Sequence, residues 1–124
     1  MAEVKKILVV DDEAEIRELF NSYLTKKGYA VDLAKDGLEA IKKTESEKYD
    51  FIFLDIKMSG LDGVETFRRI KEKHNDACFV IMTGYRVMAQ EVMTDSMKGE
   101  ICAILYKPFR MSEVLGLIKK QEAV

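Results

Sequence analysis

Four short runs of apolar residues punctuate the chain: Ile7-Leu8-Val9-Val10, Phe51-Ile52-Phe53-Leu54, Phe79-Val80-Ile81-Met82 and Ile104-Leu105-Tyr106. Unbroken runs of this length predict strands buried on both faces, as in a parallel sheet covered by helices. A fifth stretch, Tyr29-Ala30-Val31-Asp32-Leu33-Ala34, alternates large apolar residues with small or polar ones, as a half-exposed edge strand does. Between the strands the apolar period lengthens to that of a helix. Ile16, Leu19, Phe20, Tyr23 and Leu24 keep the spacing of one buried helical face, which Gly28 terminates. Asp36-Gly37 opens a second helix that runs through Ala40 and Ile41 to about Glu47, and a third turns Val64, Phe67 and Ile70 inward. A fourth runs from about Val87 to Met97, with Met88, Met93 and Met97 as core filler on its apolar face. The last takes Ser112 as its N-cap and packs Met111, Val114, Leu115 and Ile118 inward.

Five strands thus alternate with five helices, with no repeat, low-complexity tract or internal linker. Crossovers between parallel strands are right-handed, so these units wind into an α/β, doubly wound three-layer sandwich of the flavodoxin-like type. Its five-stranded parallel sheet is expected in the order 2-1-3-4-5, which leaves the alternating second strand at an edge. A chain of 124 residues is expected to form a single domain, 1–124, large enough to bury about two thirds of its unfolded surface.

Composition narrows the function classes. A net charge of −2, with Lys and Arg scattered along the chain, argues against direct nucleic-acid binding. No apolar run is long enough for membrane insertion, and the first residues lack the apolar core of a secretion signal, which points to a cytoplasmic protein. Cys78 and Cys102 lie in apolar runs without zinc-site spacing and are expected as buried, reduced thiols. The sole histidine, His74, sits in a helix-ending context, which removes histidine-based catalysis.

The chemistry gathers where the strands end. Asp11 and Asp12, Asp55, Thr83 and Lys107 each follow one of the four apolar runs. In open α/β sheets the ligand crevice lies outside the carboxyl ends of the strands, where strand order reverses. Three carboxylates brought together there repel unless a hard cation lies between them, and Mg²⁺ suits carboxylates, water and phosphate oxygens. A hydroxyl and an ammonium beside them complete a setting for a phosphoryl group.

With these residues in place the chain resembles a response-regulator receiver domain, the phosphoacceptor half of two-component signalling. The resemblance covers essentially the whole chain through Val9-Val10-Asp11-Asp12-Glu13, Leu54-Asp55-Ile56-Lys57-Met58, Gly60-Leu61-Asp62-Gly63, Met82-Thr83-Gly84 and Lys107-Pro108-Phe109. It implies that Asp55 accepts a phosphoryl group from a phosphohistidine on a sensor histidine kinase or histidine phosphotransfer protein. It also implies that Mg²⁺ is held by Asp11, Asp12, Asp55 and the main-chain carbonyl of Lys57. Thr83 and Lys107 are expected to contact the phosphoryl oxygens, and the Lys107-Pro108 bond to be cis. Such a protein is a signalling switch that catalyses its own phosphorylation and dephosphorylation rather than a turnover enzyme. Its downstream target is not specified by any motif. Lys57 and Tyr85, two residues past Asp55 and Thr83, are expected to border the path of hydrolytic water.

The chain departs from the family pattern at three places, the last two on the family's usual output face. Ser59 stands where a proline is common, Ile104 where an aromatic residue usually precedes the lysine by three positions, and Gly99 is displaced in a slightly long stretch between Thr83 and Lys107. The changes at Ile104 and around Gly99 put the familiar aromatic readout in question and keep open a receiver fold used purely for interaction. Two rivals fit less well. A haloacid-dehalogenase-type phosphatase has a second Asp two residues after its nucleophile, where this chain has Lys57. A flavodoxin-like nucleotide binder needs a phosphate-cradling loop after its first strand, and Asp11-Asp12-Glu13 would repel that phosphate.

Overall fold

A computed structural model describes residues 5–56, 63–73, 76–84 and 99–123. In chain order the elements are β1 (Lys6–Val10), α1 (Ala14–Lys26), β2 (Ala30–Ala34), α2 (Gly37–Ser46), β3 (Phe51–Asp55), α3 (Gly63–Lys73), β4 (Cys78–Thr83), β5 (Ala103–Tyr106) and α4 (Met111–Glu122). All neighbouring strands are parallel and the sheet order is β2-β1-β3-β4-β5, as the sequence pattern predicts. Four of the five expected helices lie among the described residues. The one expected over 87–97, with its three methionines, falls outside them, although Gly99 and Glu100 are helical.

The unbroken apolar runs serve both sheet faces. On one, Leu8, Val10, Ile52, Leu54, Phe79 and Ile81 meet Ala40 of α2 and Phe67 and Ile70 of α3. On the other, Ile7, Val9, Phe51, Phe53, Val80, Met82 and Leu105 meet Phe20 and Leu24 of α1 and Met111, Val114 and Ile118 of α4. Because side chains alternate across a strand, only a run apolar at every position can feed two cores at once. The edge strand β2 is half-buried along most of its length.

Local signals set the element ends. Gly28 takes φ +97° after α1, and the Gly28 and Tyr29 N–H groups donate to the carbonyls of Thr25 and Leu24, both at 3.1 Å. That is the double bond of a Schellman stop, and it needs a residue free to enter the left-handed region. Asp36 caps α2, its Oδ1 accepting the Glu39 N–H at 2.8 Å.

Three expectations are corrected. Leu19 is 46 % exposed rather than inward, because it stands about 100° around the helix from Phe20 and falls at the edge of the buried stripe. The last helix begins at Met111 with Arg110 as its N-cap, and Ser112 lies within the first turn. The Arg110 N–H donates to Glu113 Oε1 at 3.3 Å, so the N3 carboxylate supplies the cap contact there. Cys78 and Cys102, expected as buried thiols, are joined in a disulfide with Cα atoms 5.6 Å apart, Cys78 half-buried and Cys102 exposed. They are 24 positions apart in sequence, and it is the pairing of β4 with β5 that brings them together. His74 falls outside the described residues.

Candidate functional site

Parallel register puts the ends of the strands at one level: Val10 pairs with Leu54, Leu54 with Ile81, Asp55 with Met82 and Thr83 with Tyr106. Asp11 therefore leaves β1 beside Asp55, the last residue of β3, at the point where strand order reverses. Thr83 ends β4, and Lys107 leaves β5 next to it, its N–H bonded to the Thr83 carbonyl at 2.7 Å. Asp11, Asp12, Asp55, Thr83 and Lys107 thus stand at one edge of the sheet.

Ligand oxygens of Asp11, Asp12 and Asp55 lie within 4.8 Å of one another. Asp11 is 0 % exposed and Asp55 5 %, while Asp12 faces solvent. The Asp11 segment is held from several sides. Its N–H donates to the Ala34 carbonyl at 3.1 Å, its carbonyl accepts from Arg17 Nη1 at 2.8 Å, and its Oδ1 accepts the Glu13 N–H at 2.9 Å. Burying a carboxylate costs several kcal/mol unless it is paired, and here the partner is an ammonium. Lys107 Nζ donates to Asp11 Oδ2 at 2.9 Å and to Asp55 Oδ2 at 3.2 Å, and reaches the exposed Glu13 at 3.4 Å. Burial alone would weaken the hold of Lys107 on its proton. The hydrogen bond to Asp11 and the charges of Asp55 and Asp11 outweigh that and raise its pKa above the ordinary lysine value.

Among the described residues, three carboxylates face the Lys107 ammonium, a balance that leaves negative charge for a cation to meet. The donors are all hard oxygens, with neither histidine nor cysteine among them, and an exposed Asp12 leaves the group open to a hydrated ion. This donor set fits Mg²⁺. Thr83, 2 % exposed, brings the hydroxyl to the same edge. The Lys107-Pro108 peptide is cis, as the resemblance implied.

Lys57 and Tyr85 lie outside the described residues. Ile104, which stands where the family commonly has an aromatic residue, is half-buried on β5 opposite Ile81 and packs against the cluster on the α2–α3 face. Three contributors have no role assigned from the sequence. Glu13 and Arg17 secure Lys107 and the Asp11 backbone, and their signal was a charge one helical turn apart next to the acidic pair. The third is Gly63, which packs so tightly under the end of β3 that a Cβ there would sit 2.4 Å from Ile56 Cα and 2.6 Å from the Asp55 carbonyl oxygen.

Comparison with known proteins matches this geometry. The profile of the response regulator receiver domain covers residues 7–119. Transcriptional regulatory protein ResD of Bacillus subtilis is 41 % identical over 118 residues, a match that takes in 92 % of this chain and 46 % of ResD. Sporulation initiation phosphotransferase F of the same organism is 34 % identical over 116 residues, 94 % of this chain and 92 % of that protein. The chain thus spans less than half of one relative and most of the other. Among solved structures, response regulator TrrA of Thermotoga maritima, in complex with Mg²⁺-BeF, superposes with a TM-score of 0.82 at 38 % identity, over 94 % of this chain and 98 % of TrrA. Fold, strand-end chemistry and sequence relationships agree, and the chain belongs to the response regulator receiver domain family, the phosphoacceptors of two-component signalling.

Proposed function

We propose that Asp55 is the phosphoacceptor and that the domain, working as one unit over residues 1–124, takes its phosphoryl group from a phosphohistidine of a sensor histidine kinase or histidine phosphotransfer protein in the cytoplasm. The observation that carries this reading is Lys107 bridging Asp11 and Asp55 at 2.9 and 3.2 Å, an ammonium already seated where transferred negative charge would accumulate. An Asp55 carboxylate oxygen attacks phosphorus, the phosphorus–nitrogen bond of the donor breaks, and its electron pair leaves with the imidazole. The product is an acyl phosphate on Asp55. Mg²⁺ held by Asp11, Asp12, Asp55 and the Lys57 carbonyl would supply positive charge to the phosphoryl oxygens. The Mg²⁺-BeF complex of TrrA, a relative at 38 % identity, supports that requirement. Lys107 neutralises a further oxygen, and the Thr83 hydroxyl donates to another. The chain is then a switch that alters the binding of a protein target, and its chemistry serves signalling instead of turnover.

Two substitutions test the division of labour. Asp12→Ala should weaken Mg²⁺ binding, followed by calorimetry, about tenfold or more, and slow phosphorylation by acetyl phosphate with it. Lys107→Ala should slow phosphorylation about 10- to 100-fold while leaving Mg²⁺ bound, because it removes charge from the transferred group and not a ligand from the ion. If Asp12→Ala left Mg²⁺ affinity unchanged, or Lys107→Ala phosphorylated at the original rate, the role given to that residue would be wrong.

Lys57 and Tyr85 set the lifetime of the phosphoryl group in this reading. In-line hydrolysis needs a water opposite the leaving carboxylate oxygen, and a long Lys and a bulky Tyr at these positions suit covering that approach. Lys57→Asn and Tyr85→Ala should each speed dephosphorylation in Mg²⁺, and the double variant should be fastest. Identical decay of all four proteins would remove the shielding role without touching that of Asp55.

A further inference from the structure

The two cysteines take no part in the phosphoryl chemistry and stand at the far end of the sheet from it. Cys78 opens β4, whose last residue is Thr83, and Cys102 immediately precedes β5. At roughly 3.3 Å per residue the pair lies about 16 Å along the strand from the site. Their closeness is set by the backbone. Val80 pairs with Ala103, the Cys102 N–H donates to the Phe79 carbonyl at 2.8 Å, and the Cα atoms are then 5.6 Å apart, within the range a disulfide bridges. Strand pairing would hold them at this separation with the sulfurs reduced, so one fold serves both redox states. The two residues differ in access: Cys102 is exposed, whereas Cys78 is half-buried and packs against the core cluster on the α1–α4 face.

We propose that Cys78–Cys102 is a reversible redox-modification site that exchanges with a low-molecular-weight disulfide of the glutathione type, Cys102 being the sulfur that reacts first and Cys78 the one that resolves. In the oxidising direction the Cys102 thiolate attacks one sulfur of the small disulfide; that sulfur–sulfur bond breaks and one small thiolate departs. The Cys78 thiolate then attacks Cys102 Sγ, the intramolecular bond forms, and the second small thiolate leaves. Two protein thiols are oxidised as one small disulfide is reduced to two thiols, which take up the two protons the cysteines release. Reduction reverses both steps, with the incoming thiolate attacking the exposed Cys102. In reducing compartments a paired disulfide of this kind is characteristically a sensor and not a permanent staple. Its consequence is thermal: closing the chain between positions 78 and 102 restricts the unfolded ensemble and leaves the phosphoryl site, at the other end of the strands, unaltered.

The test equilibrates the full chain in graded ratios of oxidised to reduced glutathione, blocks remaining thiols with a maleimide and reads intact mass. The expected result is a single transition from doubly blocked to unblocked protein, with the glutathione adduct never accumulating. Cys78→Ser should instead stall as a one-to-one glutathione adduct on Cys102, and Cys102→Ser should stay free of adduct. The oxidised form should melt about 10 °C above the reduced form, and both should take up phosphoryl from acetyl phosphate at rates within about twofold. Thiols that stay doubly blocked in excess oxidised glutathione, wild type stalled as the mixed disulfide, a disulfide-linked dimer, or oxidised and reduced forms with the same melting temperature would each overturn the proposal. The mass and melting readouts need no phosphorylation, so they stand or fall separately from the role of Asp55.

Discussion

Gly63→Ala should destabilise the domain by about 3 kcal/mol or more, lowering the melting temperature by about 10 °C, and should impair phosphorylation at the same time. The sign of this effect discriminates between two accounts of the glycine. Gly63 is the first residue of α3, and at an ordinary helical position alanine would gain up to about 1 kcal/mol. Here the added carbon would meet Ile56 Cα at 2.4 Å, the Asp55 carbonyl oxygen at 2.6 Å and the Ile56 carbonyl carbon at 2.9 Å, all backbone atoms. Backbone does not swing aside as a side chain can. The Gly63 N–H also donates to the Ile56 carbonyl at 3.1 Å, which fixes the approach of the helix to the strand end. Relief has to come from displacing α3 or the end of β3, and the latter carries Asp55. Against a total stability of about 5–15 kcal/mol the loss is large. Chemical denaturation with the phosphorylation assay run alongside checks it. An alanine variant as stable as the parent would mean that the close packing is not a constraint in solution.

Much of this arrangement is legible in the sequence because the signals that define it are local. Unbroken apolar runs this short and this rich in β-branched and aromatic residues read as strands covered on both faces, and Tyr29–Ala34, alternating where the others do not, marks the sheet edge. Once the strands are placed, topology puts Asp11, Asp12, Asp55, Thr83 and Lys107 on one edge without any knowledge of their contacts. What escaped depends on register or on packing. The Cys78–Cys102 pair is a product of the alignment of β4 with β5, which apolar runs do not specify. Leu19 satisfies the helical period and is nevertheless exposed, since the period gives a stripe and not the width that its neighbours cover. Arg110 displaced Ser112 as the cap because Glu113 can supply the contact to the Arg110 N–H. A glycine opening a helix reads equally as turn chemistry, and only the distance to Ile56 reveals Gly63 as a close-approach position.

The second large effect is the loss of all phosphoryl acceptance in Asp55→Asn. The substitution keeps the shape of the side chain at the end of β3 and removes the charge that attacks phosphorus. An amide in place of the carboxylate forms no acyl phosphate. Removing one of three neighbouring carboxylates also relieves repulsion, and the amide oxygen of the variant can still accept from Lys107, so the fold should persist. Loss of signal can then be assigned to chemistry and not to unfolding. The decisive measurement is intact mass after incubation with Mg²⁺ and acetyl phosphate, for the parent and for Asp55→Asn, each with and without exposure to base. The parent should gain a single base-labile increment of about 80 Da, dependent on Mg²⁺, and the variant none. The same adduct on Asp55→Asn, or a parent that never gains it while remaining folded and Mg²⁺-bound, would contradict the account.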